Sequence, residues 1–140
     1  MRQEVEKFFA TPNAESFKMI EDNSSSLKEV LNHSPQLADK FFEFRHWFKL
    51  YREIISTPEI LKKLHDSINT FDDTIKYYFT LNYEGRQEYA PKLIEKASTV
   101  RELTTTFHYL GNKYRKEIAT KMHDIDMTDE EKDFVKSYKF

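Results

Sequence analysis

Apolar residues recur at helical spacing along most of the chain. The clearest run lies between Ser34 and Ser56, where Leu37, Phe41, Phe44, Phe48, Tyr51 and Ile55 follow at steps of 4, 3, 4, 3 and 4 residues. Such steps align side chains on one face of a helix. Phe42, Trp47 and Ile54 widen that face, while Lys40, Glu43, Lys49, Arg52 and Glu53 occupy the rest. The pattern predicts one central helix over 34–56.

Helix-start signals punctuate the rest. A hydroxyl before proline satisfies free amides and presets the first turn, as at Thr11-Pro12, Ser34-Pro35 and Thr57-Pro58. Thr57-Pro58 opens a short helix with Ile60, Leu61 and Leu64. Thr70 caps another with Phe71, Ile75, Tyr78 and Phe79, which the loop Asn82-Tyr83-Glu84-Gly85-Arg86 ends. Pro91 then suits the first turn of a long helix carrying Leu93, Ile94, Ala97, Val100, Leu103 or Thr104, Phe107 and Leu110. Gly111-Asn112 stops or bends it, and Tyr114, Ile118, Ala119 and Met122 continue in a second long helix. Thr128 with Glu131 is a capping box for a last short helix holding Phe134, Val135 and Tyr138. Upstream, 3–9, 12–22 and 26–33 read as short helices. With only 2 glycines, hairpin turn signals are scarce. The expectation is an all-α chain, 1–140, forming a single domain without internal repeats.

The 140 residues suffice for one core and too little for two. The absence of cysteine removes disulfides and thiolate metal sites. The first residues lack the charged and apolar blocks of a signal peptide, and no apolar run reaches membrane-spanning length, so a cytoplasmic location is expected. Nearly balanced charge, 22 basic against 24 acidic, provides no general field for nucleic acid. Aromatic residues are abundant at 15%, which implies either a ring-packed core or a ring-walled cavity.

Candidate chemistry is sparse. His33, His46, His65, His108 and His123 form no pair at metal-binding helical spacing. Phosphate-cradling loops and nucleophile elbows are absent. Arg101 and His108 match the RxxxxxxH spacing of HEPN-type ribonucleases, but Glu102 beside the arginine opposes an RNA phosphate. Arg45, His46, Lys49 and Arg52 alternate with Trp47 and Phe48, a spacing that separates wet from buried faces of a helix rather than building a nucleic-acid surface.

Several short motifs fall in order between Phe48 and Tyr114: Thr57-Pro58-Glu59-Ile60-Leu61 after a helix, Lys76-Tyr77-Tyr78 near the end of the next, then Gly85-Arg86, Glu88-Tyr89 and Glu95-Lys96. This half of the chain resembles the middle and C-terminal part of the sensor globins, the haem-binding input domains of bacterial signalling proteins. The resemblance implies a globin-like fold. Counted from Glu95-Lys96, the family's iron-binding histidine falls at about Thr104, within Leu103-Thr104-Thr105-Thr106, and a threonine hydroxyl is a poor axial ligand. His108 lies one turn later. A globin-like domain without haem is therefore expected, with a haem-binding gas sensor as the alternative.

A missing porphyrin leaves apolar walls that either collapse inward or enclose another apolar molecule. The rings around such a space would come from Phe41, Phe44, Trp47, Phe48, Tyr51, Tyr78, Phe79, Leu103, Thr104, Phe107 and His108, with Arg45, Lys49 or Lys113 at the mouth to meet a carboxylate. Among haem-less members the chain is similar to sensor domains of sporulation histidine kinases in bacilli and to stand-alone plasmid-encoded copies of them in the anthrax bacillus. That likeness implies a non-enzymatic module that binds a fatty acid, with a bound halide, and inhibits sporulation by competing for the kinase's signal. Sensor globins also dimerise through their last two long helices; here Tyr109, Leu110, Tyr114, Ile118 and Met122 would face outward and form a homodimer. A HEPN-type ribonuclease and a helical interaction or inhibitor protein with a solid core are the remaining readings.

Overall fold

Hydroxyl and amide side chains start most of the helices. Asn13, Asn23, Ser34, Thr57, Thr70, Asn82, Thr99 and Thr128 each accept the backbone N–H three residues on. A computed structural model describes all residues 1–140, as α-helices joined by short turns with no strand. The chain is all-α. It clusters into two compact units, Met1–Asn69 and Thr70–Phe140.

The first unit contains α1 (Gln3–Ala10), α2 (Ala14–Lys18), α3 (Ser24–His33), α4 (Pro35–Phe41), α5 (Phe44–Glu53) and α6 (Pro58–Asp66). Helix α3 packs on α1, α4 and α5, and α6 packs on α5. An aromatic block forms where Phe17 meets Phe8, Phe41, Phe42 and His46 at centroid distances of 5.5, 5.5, 5.8 and 5.0 Å. Edge-to-face and tilted contacts of this kind add to the area that the rings bury.

The single helix expected over 34–56 is instead two. Helix α4 ends at Phe41, and Phe42 and Glu43 are extended. The cause is local: the Glu43 backbone N–H donates to Nδ1 of His46 at 2.8 Å, which starts a new helix. The break also shifts the phase of the apolar face. Trp47 and Leu50 point deepest, while Phe48 and Tyr51, assigned to the stripe, are half-buried.

The second unit contains α7 (Phe71–Tyr78), α8 (Tyr83–Lys96), α9 (Val100–Leu110), a 3-10 turn (Gly111–Tyr114), α10 (Arg115–His123) and α11 (Asp129–Lys136). The segment 83–86, expected as loop, is the first turn of α8, because the Asn82 side chain caps it through the Gly85 N–H. Pro91 accordingly lies inside α8 rather than at its start. It is exposed, so its ring and missing N–H disturb the outer side of the helix.

The long stripe 91–110 is likewise divided. Ala97 is extended and Thr99 caps α9, while the Glu102 carboxylate accepts the Ser98 N–H at 2.9 Å. The final carbonyls of α8 are satisfied from another helix: the Lys121 ammonium on α10 donates to the Ile94, Glu95 and Ala97 carbonyl oxygens. Leu93, Ala97, Leu103, Ile118 and Met122 form the centre of this unit's core. Gly111 ends α9 at φ 74 and ψ -161, a conformation essentially reserved for glycine.

Candidate functional site

Helix α5 presents its polar face to an open groove of about 480 Å³ within the first unit, lined by Glu21, Asp22, Arg45, His46, Phe48, Lys49, Arg52 and Glu53. Three cations and three carboxylates share it. Arg45 donates to Glu21 at 2.7 Å and lies 3.8 Å from Asp22 and 3.9 Å from Glu43. Lys49 stands 3.7 Å from Glu53, one turn on. The Arg52 guanidinium lies over the Phe48 ring at 5.5 Å.

His46 is the buried member. Its side chain is only 2% exposed, with the ring between Phe17 and Phe42. Because Nδ1 accepts from Glu43, the neutral ring carries its proton on Nε2. That Nε2 has no acceptor at normal hydrogen-bond length. The Glu21 carboxylate lies 3.6 Å away, just past that length, and acts on the ring by charge and by a long, weak hydrogen-bond contact. Burial pulls the imidazole pKa below its ordinary value and neighbouring Arg45 lowers it further, against an upward pull from Glu21 and Glu43.

Two residues expected at a ligand mouth, Arg45 and Lys49, thus meet at this groove together with Phe48. Phe44 and Trp47 are buried beneath α5, Phe41 joins the aromatic block, and Tyr51 is half-buried. Glu21 and His46 were not singled out as site residues. His46 reads as one of the basic residues alternating with Trp47 and Phe48 rather than as a buried ring, and Glu21 lies 24 positions from Arg45, so no local spacing links them.

The chain matches no family model, no curated protein and no solved structure.

The other expected site residues lie in the second unit. Thr104 is buried with its hydroxyl donated to the Arg101 carbonyl at 3.0 Å, so it offers an iron nothing comparable to an imidazole. The His108 Nε2 is hydrogen-bonded with the Tyr138 hydroxyl at 2.8 Å. Arg101 is exposed two turns earlier on α9. Leu103 is in the core, and Phe107 is covered by Arg115 at 4.6 Å and by Phe140. Tyr78 is buried under the Arg86 guanidinium at 5.2 Å. Phe79 and Tyr109 form an exposed edge-to-face pair at 4.9 Å. Lys113 donates to Gln87. Burial and then the Tyr77 phenol push Tyr89 up to about 12.

The outward apolar face expected on the last helices is only partly present. Tyr109 is 52% exposed, and Leu110 and Tyr114 are half-buried, but Ile118 and Met122 face inward and are fully buried. The 3-10 turn at 111–114 changes the rotation of α10 relative to an uninterrupted helix, which directs these two side chains into the core. No helix is long and apolar enough to cross a membrane.

Proposed function

We propose that the chain is a non-enzymatic, globin-like regulatory module that binds a fatty acid or similar carboxylate-bearing apolar molecule without haem. The observation that carries this reading is the groove of α5, where Arg45, Lys49 and Arg52 converge beside Phe48. Guanidinium groups recognise a carboxylate through paired N–H donors, and the half-buried Phe48 ring is the apolar surface of the groove that an adjoining alkyl segment would meet. The acids in the groove keep it close to neutral when empty, which suits a singly charged headgroup better than a polyanion.

The resemblance to haem-less sensor domains adds the context. The module acts in the cytoplasm, as a homodimer, by taking up the signal that a sporulation histidine kinase would otherwise receive. A bound halide belongs to the same expectation and is assigned to no residue. Binding exerts its effect by favouring one conformation over another, so no bond is made or broken.

Native mass spectrometry of the chain with palmitate tests the reading, alongside an Arg45→Met/Arg52→Met double variant. The expected result is one palmitate per chain, with affinity reduced at least about tenfold in the double variant, as loss of a charge-assisted hydrogen bond predicts. Absence of palmitate-bound species, or equal affinity in both proteins, overturns it.

A further inference from the structure

The most unusual polar group in the molecule is the Nε2–H of His46: fully buried, without an acceptor at normal hydrogen-bond length, and 3.6 Å from the carboxylate of Glu21, which lines the α5 groove together with His46. Nearly all buried N–H groups find an acceptor. The nearest acceptor is the Glu21 carboxylate at 3.6 Å, which is held by Arg45 at 2.7 Å. Glu21 is thus shared between a guanidinium that it satisfies and an imidazole that it nearly reaches.

Arg45 is half-exposed, whereas Glu21 is largely covered. An oxyanion entering from solvent therefore reaches the guanidinium before it reaches His46. We propose that Arg45 is an exchangeable anchor: an incoming carboxylate takes its guanidinium from Glu21, and the freed Glu21 closes onto the Nε2–H of His46. The closure requires less than an ångström of movement to reach normal hydrogen-bond length. The same imidazole accepts the Glu43 N–H that starts α5, so occupation of the groove is read at the α4–α5 junction. The ligand is a monoanionic oxyanion headgroup. This inference rests on the groove being the ligand site, as proposed above, and makes Glu21 and His46 positioning residues that act through Arg45.

The two residues then have opposite effects. Glu21→Gln removes the nearest of the three carboxylates around Arg45, the others being Asp22 at 3.8 Å and Glu43 at 3.9 Å, and should tighten binding about tenfold, the size of one charge-assisted hydrogen bond. His46→Asn retains an acceptor near the Nδ1 position but removes the donor that receives Glu21, and should weaken binding about threefold to tenfold. In a Glu21→Gln background the His46→Asn change should alter affinity less than about twofold, because the relay is already absent.

Calorimetric titration of the wild type and these three variants with octanoate, and separately with inorganic phosphate, tests the exchange. The same pattern with both probes supports a site reading the shared oxyanion chemistry; the pattern with octanoate alone supports a carboxylate bearing an apolar tail. A long-range 1H–15N spectrum of wild-type His46 gives a readout independent of variant folding, and the Nε2–H resonance should move downfield on saturation. Octanoate binding with an unmoved Nε2–H, or with equal His46→Asn effects in both backgrounds, overturns the exchange and leaves the groove as the ligand site. No binding of either probe to the wild type overturns both.

Discussion

Lys121→Met removes the ammonium that closes the C-terminal end of α8 while keeping most of the side chain's apolar length. In the structure this ammonium donates to the Ile94 carbonyl at 2.7 Å, to the Glu95 carbonyl at 3.0 Å and to the Ala97 carbonyl. A cation at a helix C-terminus contributes about 0.3–1 kcal/mol, and up to about 2 kcal/mol when partly buried. Leaving a covered carbonyl without a donor costs about 1–3 kcal/mol, and Ile94 and Ala97 are both buried. The three bonds share one charge and do not add, so the expected loss is about 2–3 kcal/mol. For a chain of this length each kcal/mol moves the melting temperature by about 3–4 °C, giving a fall of about 6–12 °C. Thermal unfolding followed by far-ultraviolet circular dichroism measures it, with exposed Lys116→Met as the control expected to shift by less than about 2 °C. A Lys121→Met protein melting within about 2 °C of wild type would refute the assignment of Lys121 as the cap.

Three further outcomes follow from single features. Gly111→Ala and Gly111→Asn should each destabilise by about 1–3 kcal/mol in urea unfolding, because the added Cβ meets nothing within 4 Å and the cost is that of the backbone conformation alone; an unchanged midpoint contradicts this. The folded-state pKa of His46 lies below the ordinary 6.5, so its contribution to stability is present above pH 6.5 and is lost as pH falls from there towards the lowered value. Comparison of urea midpoints between pH 7.5 and 5.0 should show a steeper fall in wild type than in His46→Asn, and parallel curves would contradict the assignment. Arg115 donates to the Tyr138 carbonyl and covers Phe107 and Phe140, so Arg115→Met should free the C-terminal residues and raise their amide exchange at least about tenfold; unchanged exchange at Tyr138 to Phe140 rejects that role.

The features legible in the chain were those fixed by neighbours in sequence. Thr57-Pro58, Thr70 with Asp73, and Thr128 with Glu131 start helices where expected, since each cap is completed within three residues. The interruptions at 42–43 and 97–99 escaped because they involve partners that periodicity does not weigh: the ring of His46 and an ammonium from α10, 24 residues beyond Ala97. The break at 42–43 turns the face of α5, which is why Phe48 and Tyr51 lie nearer the surface than the stripe implied. Arg45 and Lys49, one turn apart on α5, were grouped by their spacing and both line the α5 groove, whereas Lys113, grouped with them, lies in the second unit beside Gln87. Glu21 was not grouped with them, since the turn after α2 brings it to Arg45 only in three dimensions.

The groove beside α5 is proposed to receive the carboxylate end of an apolar ligand. Photo-crosslinking with a palmitate analogue carrying a diazirine next to its carboxyl group, followed by peptide mapping, tests it most directly. Labelling that saturates, is competed by palmitate and falls within 44–53 or around Glu21 is the predicted result. Saturable labelling confined to 70–140, or labelling that palmitate does not displace, would contradict it.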